Sequence, residues 1–132
     1  MVTELNEEEL RLLRETFEMA RNGETERLAE LVGAGLPVNL TNSSGDTLLI
    51  LAAYHVHPAT VRMLLAAGAD TSRVNDRGQT AIAAATFRRS TEIVTDLLAA
   101  GADPEAGERS AVAIATVFEL PDMLALLRGE PA

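Results

Sequence analysis

The sequence predicts an all-α solenoid of stacked helix-turn-helix units. Residues 42–74 and 75–107 carry the same pattern of polar, glycine and apolar positions, displaced by 33 residues. Within each copy the apolar residues recur at three- and four-residue spacings, which is typical of one buried helix face. A fixed period of this size indicates units that bury a continuous core only when they are stacked. The 132-residue chain has no cysteine, which excludes a disulfide framework and thiolate chemistry.

The repeat extends over nearly the whole chain. The two clearest copies match at Asn42/Asn75, Gly45/Gly78, Thr47/Thr80, Val61/Val94, Leu64/Leu97, Leu65/Leu98, Gly68/Gly101, Ala69/Ala102 and Asp70/Asp103. One period earlier, the register is kept by Leu28, Leu31, Val32 and Gly35. A last unit follows with a shortened turn, because Ser110 matches Thr80 at a spacing of 30 residues instead of 33.

The pattern resembles that of a known repeat family. Two copies contain N-x-x-G-x-T, A-A and V-x-x-L-L-x-x-G-A-D, and this combination resembles the ankyrin repeat over about residues 6–128. The resemblance implies one domain of four units, at about 6–41, 42–74, 75–107 and 108–128, similar to small stand-alone bacterial ankyrin proteins. It also implies a non-catalytic protein–protein interaction module. Val56 and Arg89 depart from the pattern, since the family has a left-handed glycine there, and such strain costs ~1–2 kcal/mol.

Each unit has signals for its helices. A helix over 6–21 is predicted by the N-cap Asn6, the three following glutamates and a stripe that we expect to be buried, formed by Leu10, Leu13, Phe17 and Ala20. Further helices are predicted over 25–32, 48–55, 58–66, 111–118 and 121–128, and unit three repeats the two helices of unit two. Capping hydroxyls are expected from Thr47, Thr80 and Ser90. Pro58 suits the first position of its helix.

The last unit leaves two possibilities open. Leu120 and Leu126 share its outer side with few charges. Either these leucines fold inward in a small terminal unit, or an apolar patch remains at this end. The patch would favour an alternative function, a structural protein that self-assembles through its C-terminal end. We otherwise expect a monomer, with a weak homodimer as the second possibility.

Composition and charge limit the function further. The net charge is −9, which opposes binding to nucleic acids or anionic membranes. No run of 18 apolar residues is present, and the acidic N-terminus lacks the apolar core of a secretion signal, so a cytoplasmic location is expected. All eleven basic residues are arginine, which we attribute to the composition of a GC-rich bacterial genome.

No motif predicts catalysis, a cofactor or a metal. His55 and His57 are the only histidines, and with no cysteine they leave a zinc site without a plausible ligand set. Gly33-Ala34-Gly35 lacks the preceding strand and the third glycine of a dinucleotide site. No nucleophile, base and orienting group coincide, so the chain is not expected to be an enzyme.

The resemblance places partner binding at the exposed ends of the first helices and at the turn tips. By register, the helix ends hold Arg21, Asn22, Tyr54, His55, Phe87, Arg88, Val117 and Phe118. The tips hold Ser43, Ser44, Asp46, Asp76, Arg77 and Gln79. Three of the four aromatic residues are in this set, and aromatic and arginine side chains commonly anchor interfaces. The alternative is that the aromatic rings fill gaps between helix ends.

Unit three is locally basic. Residues 71–91 hold the cations Arg73, Arg77, Arg88 and Arg89, with Asp76 as the acid among them. This balance favours a partner with an acidic face. The alternative is that the arginines pair with Asp46, Asp103 or Glu105 of neighbouring units, where each exposed pair contributes ~0–1 kcal/mol.

Overall fold

The computed structural model describes residues 5–130, and this part of the chain contains eight α-helices and no β-strand. In chain order they are α1 (Glu7–Asn22), α2 (Thr25–Gly33), α3 (Leu48–Tyr54), α4 (Pro58–Ala66), α5 (Ala81–Phe87), α6 (Thr91–Ala99), α7 (Ala111–Val117) and α8 (Pro121–Leu127). Each predicted unit holds one pair of these helices. None of the helices in the described part is both long and apolar enough to cross a membrane.

The helices form two rows. The first helices of the units pack side by side in the order α1, α3, α5 and α7, and the second helices do the same in the order α2, α4, α6 and α8. Within each unit the two helices pack on each other. This arrangement confirms the predicted all-α solenoid.

The helices begin where the sequence predicts, because polar side chains satisfy their free N–H groups. Hydrogen bonds from the backbone N–H three residues further on, at 2.8–3.4 Å, are accepted by the side chains of Asn6, Thr47, Thr80, Ser90 and Ser110. Pro58 is the first residue of α4, as expected. The predicted caps are therefore confirmed.

Small residues bring the first helices close together. Ala52 and Ala53 of α3 are fully buried, as are Ala84 and Ala85 of α5 and Ala115 of α7. Between the two rows lie the larger buried side chains Leu28, Leu49, Val61, Leu64, Ile82, Val94 and Leu97. The predicted apolar stripes thus form one core that continues through all four units.

The predicted stripe of α1 is wrong at its beginning. Phe17 and Ala20 are buried as expected, but Leu13 is only partly buried and Leu10 is 41% exposed. The reason is length, since α1 has 16 residues whereas its neighbour α3 has seven. The first turns of α1 therefore extend past the helix that covers the rest of the stripe.

The last unit folds its leucines inward. Leu120 and Leu126 are partly buried and pack against the core. Its shortened turn is bonded to the preceding unit, because the backbone N–H of Arg109 donates to the carbonyl oxygen of Gly78 at 3.0 Å. The inward alternative therefore holds for these two leucines.

Candidate functional site

The turn tips of units two and three are built in the same way. The Oδ1 atom of Asn42 accepts hydrogen bonds from the backbone N–H groups of Ser44 and Asp46, both at 2.9 Å. One unit later, Oδ1 of Asn75 accepts from the N–H groups two and four residues further on, both at 3.0 Å. An asparagine side chain thus holds each tip in a closed turn.

The two tips are also joined to each other. The backbone N–H of Asp76 donates to the carbonyl oxygen of Ser44 at 3.0 Å, and Nδ2 of Asn75 donates to Oδ1 of Asp46 at 2.8 Å. The approach is close, because a Cβ atom on Gly45 would lie 2.8 Å from Oδ1 of Asp76. These contacts make the tip edge a continuous hydrogen-bonded surface.

Two of the predicted tip residues are less accessible than the sequence suggested. Asp46 is only 6% exposed and Gln79 only 9%, because both lie inside the hydrogen-bonded turns. The side chains of Asp46 and Gln79 therefore present little area at the tips. Exposed side chains are found at Ser43, Ser44, Asp76 and Arg77.

The aromatic residues of units two, three and four lie together in one row. The rings of Tyr54 and Phe87 are stacked, with centroids 6.2 Å apart and planes 9° from parallel. The ring of Phe118 meets Phe87 edge to face at 5.9 Å. We call Tyr54, Phe87 and Phe118 the aromatic ladder. It brings residues that are 33 and 31 positions apart in the sequence into direct contact.

The ladder packs on itself and is also exposed. Phe87 is 42% exposed, Phe118 49%, and the neighbouring Val117 75%, whereas Tyr54 is partly buried. Both interpretations of the sequence thus describe part of the geometry. The rings fill the spaces between helix ends and still present apolar area to solvent.

Arginines surround the first ring of the ladder. The guanidinium carbon of Arg88 lies 5.2 Å from the centroid of the Tyr54 ring, and that of Arg77 lies 5.8 Å from it. Both distances are within the range of cation–π attraction. The first ring of the ladder is therefore in contact with two cations.

The alternative prediction, that the arginines of residues 71–91 pair with acids of neighbouring units, holds only in part. Arg77 lies 3.7 Å from Oδ1 of Asp46, as that alternative proposes. Arg73 pairs with Asp70 of its own loop at 3.1 Å. Within residues 5–130, Arg88 and Arg89 form no salt bridge. Two of the four cations thus stay available on the surface.

The first unit contributes less to the row. Arg21 is partly buried and pairs with Glu18, and Asn22 is exposed at the end of α1. His55 lies beside Tyr54 with ring centroids 5.1 Å apart. Burial, and then the positive charges of its neighbours, hold the pKa of His55 below its usual value.

His57 has a structural contact. Its Nε2 atom lies 2.7 Å from the carbonyl oxygen of Arg21, so the ring joins unit two to the end of α1. In residues 5–130, no group of three or more potential ligands is arranged to hold a metal ion.

A hollow that the sequence pattern did not predict opens beside the last two rings of the ladder. It has a volume of about 370 Å³. Its apolar walls are Phe87, Ala113, Ile114, Val117 and Phe118, and its polar rim is Gln79, Glu108 and Arg109. We call it the end hollow. The sequence feature that pointed to this hollow is the 30-residue spacing from Thr80 to Ser110, because it shortens the turn beside the hollow.

A second hollow, of about 550 Å³, lies at the opposite end of the row between α1 and the first tip. It contains Leu10, Leu13 and Phe17, but its rim also carries the ion pair of Arg21 with Glu18. The two hollows mark the two ends of the surface that runs between the helix ends and the tips.

The repeat pattern and the stacked helix pairs agree with comparison to known proteins. A family model for ankyrin repeats, in three copies, matches residues 16–108. The chain belongs to the ankyrin-repeat family. Members of this family are generally non-catalytic modules for protein–protein interaction. The comparison thus confirms the family that the residues at the repeated positions indicated.

An ankyrin repeat protein of Pseudomonas aeruginosa is 47% identical to this chain over 60 residues. The matched segment covers 46% of this chain and 35% of that relative. The chain therefore spans about a third of the length of this bacterial relative.

Proposed function

We propose that the chain binds a partner protein along its concave face, on the surface between the first-helix ends and the turn tips. The observation that supports this proposal is the exposed aromatic ladder, with Val117 beside it. Aromatic rings held rigidly by their neighbours lose little freedom on binding and bury a large area. An apolar row with an adjacent pair of arginines has the composition of an interface core.

The charge around the ladder supports a partner with an acidic face. Arg88 and Arg89 form no salt bridge with other described residues, and Arg77 is more than half exposed. The rest of the chain is strongly acidic, with a net charge of −9. A carboxylate-rich partner would thus be attracted to this region and repelled elsewhere, which orients its approach. Such a module serves as an adaptor or as an inhibitor. A cytoplasmic location is part of the same proposal.

The proposal is tested with a triple variant, Tyr54→Ala, Phe87→Ala and Phe118→Ala. Wild type and variant are immobilised and incubated with lysate of the source organism, and retained proteins are identified and re-expressed. A matched control carries Leu12→Ala and Val74→Ala, which remove exposed apolar side chains away from the ladder. We expect the control to retain the partner and the triple variant to lose it, at unchanged helicity by circular dichroism. Equal retention by all three proteins would contradict the proposal.

Self-assembly is a second candidate, because Val117 is 75% exposed at the C-terminal end of the row. Light scattering of the purified chain tests it. Val117→Glu is the suitable variant, since Leu126 packs against the core and its replacement by glutamate would disturb the fold. A dimer that Val117→Glu converts to monomer would favour this candidate, and a concentration-independent monomer would remove it.

A further inference from the structure

We propose that the end hollow receives one large apolar side chain from an acidic segment of the partner protein. This inference rests on the proposed function and assigns the anchor point and the chemistry of the partner. The hollow is the place where apolar walls, an arginine with no salt bridge among the described residues and a missing length of turn coincide. Each of these three features can be argued separately.

The walls of the end hollow suit an apolar side chain. The rings of Phe87 and Phe118 meet at 72°, so they form two sides of a corner. Ile114 closes the corner toward the core and Val117 forms its outer edge. A volume of about 370 Å³ is at the small end of the range for ligand pockets. It is therefore large enough to admit one aromatic or branched aliphatic side chain.

The shortened turn of unit four leaves the hollow open. The turn has three residues fewer than the turn of unit three, as the 30-residue spacing from Thr80 to Ser110 records. Its backbone lies directly on the preceding tip, because a Cβ atom on Gly107 would lie 2.5 Å from the carbonyl oxygen of Gly78. Among the described residues, only Gln79, Glu108 and Arg109 line the hollow from the tip side.

The charges near the hollow select an acidic segment. Arg109 is on its rim, and Arg88 is on the adjacent helix end beside Tyr54. Neither arginine forms a salt bridge within residues 5–130, so each keeps a full set of charged donors for a carboxylate. Glu108 is the acid on the rim. By contrast, the hollow beside α1 is lined by Arg14 and Arg21, and Arg21 is already paired with Glu18 on the same rim.

The partner segment is therefore an extended or helical stretch with one aromatic or large aliphatic residue and carboxylates on either side. The apolar residue enters between Phe87 and Phe118. The carboxylates reach Arg88 on one side and Arg109 on the other. A basic segment would meet these same two arginines and be repelled.

A displayed library of random 12-residue peptides, selected on the purified full chain, tests the inference. We expect enriched peptides to contain a phenylalanine, tryptophan or leucine flanked by aspartate or glutamate. One enriched peptide is then synthesised with a fluorophore, and its affinity is measured by anisotropy. Val117→Asp should weaken binding about tenfold or more, because it places a carboxylate at the mouth of the hollow.

Leu12→Asp is the matched control, since Leu12 is 43% exposed, lies in α1 and does not line the hollow. It should change the affinity less than about twofold, as expected of a rim or distant charge. Arg88→Gln and Arg109→Gln should each weaken binding and reduce its dependence on salt concentration. Thermal unfolding of every variant shows whether the fold is intact.

The outcomes separate this inference from the proposed function. Enriched peptides that lack the acidic and apolar pattern, or that bind Val117→Asp as well as wild type, would overturn the inference. If such peptides still lose binding to the ladder triple variant, the proposed function stands. If no peptide is enriched, or none depends on the ladder, both are contradicted. Self-association blocked by Val117→Asp would replace the acidic partner with a second copy of the chain.

Discussion

The first helix of unit one and those of the three later units end in the same backbone conformation with different residues. The left-handed position is Gly23 in unit one, where φ is 70°, and Val56, Arg89 and Glu119 in the others, where φ is 60°, 61° and 54°. Glycine adopts this conformation without cost, whereas the other three residues are strained there. The predicted strain at Val56 and Arg89 is thus present, and Glu119 adds a third case.

The conformation is imposed by the helix pair and not by the residue. In every unit, the N–H after the left-handed residue donates to the carbonyl oxygen five positions earlier, at 2.8–3.0 Å. This bond closes the helix end and turns the chain into the second helix. The stack therefore tolerates strained residues, because each unit supplies the same closing bond.

Glycine is required only in unit one, and the reason lies in unit two. The ring of His57 fills the space above Gly23, where a Cβ atom would lie 2.5 Å from its Nδ1 atom. The residue in the equivalent place of unit three is Ser90, which is smaller, and in unit four it is Leu120. At Gly23, therefore, the residue of the next unit leaves no room for a side chain at the helix end.

The largest expected effect is that of Gly23→Ala. The new Cβ is strained at φ 70° and collides with His57, so the free energy of unfolding should fall by ~2–4 kcal/mol. Urea unfolding followed by circular dichroism measures it.

A double-mutant cycle with His57→Ala separates the two causes. In the His57→Ala background the collision disappears, so Gly23→Ala should cost only the backbone strain, ~1–2 kcal/mol. An equal cost in both backgrounds would show that the His57 ring does not restrict position 23.

Val56→Gly should raise the free energy of unfolding instead of lowering it. Relief of the left-handed strain at Val56 stabilises the fold by up to ~1–2 kcal/mol, reduced somewhat by the greater freedom of glycine in the unfolded chain. A higher melting temperature in a thermal scan checks it. A lower one would mean that the side chain of Val56, which is partly exposed, contributes more by packing than its backbone costs.

Glu119→Gly should stabilise the protein less than Val56→Gly does. The strain is similar, but within residues 5–130 unit four packs only on unit three and can open before the rest of the stack. We therefore expect a gain of about 0.5–1 kcal/mol in the local opening of α7 and α8, with little change in global unfolding. Hydrogen exchange resolved by residue measures it, and equal protection of α8 in both proteins would contradict it.

The repeat explains why so much of the fold could be predicted. The periodic positions and the caps located the helices to within about two residues, because each unit repeats the same local chemistry. The wrong prediction at Leu10 arises from packing between units and not from local chemistry. Its stripe position is correct for a helix, but burial depends on whether a neighbouring helix reaches that far, and α3 is too short.

The sequence register predicted which residues share the site, but it did not predict which of them are in contact. The sequence placed the three aromatic rings on one surface, since they follow equivalent helices. It could not show that they stack, because ring angles depend on the spacing of the helix ends. Asp46 and Gln79 were expected at accessible tips, yet turn hydrogen bonds bury them. The end hollow is visible only once the shortened turn has been folded onto Gly78.

The smallest effect concerns His55, the residue before the strained Val56. Burial and then the positive charges of His57, Arg21 and Arg88 lower the pKa of His55 in the folded state. Its unfolded value is about 6.5, so protonation favours the unfolded chain. The stabilising contribution is complete above that value and is lost as the pH falls through the lower pKa of the folded state.

His55→Gln isolates this contribution, because glutamine keeps a polar side chain that does not titrate. The free energy of unfolding of wild type should exceed that of the variant by more at pH 7.5 than at pH 5.5. Urea unfolding of both proteins at the two pH values measures this difference in free energy. The titration of the carboxylates contributes equally to both proteins and therefore cancels. A difference that stays constant, or grows toward pH 5.5, would show that the charged neighbours do not act on His55. The stability of the helix end of unit two would then depend on the backbone strain at Val56 and not on the protonation of His55.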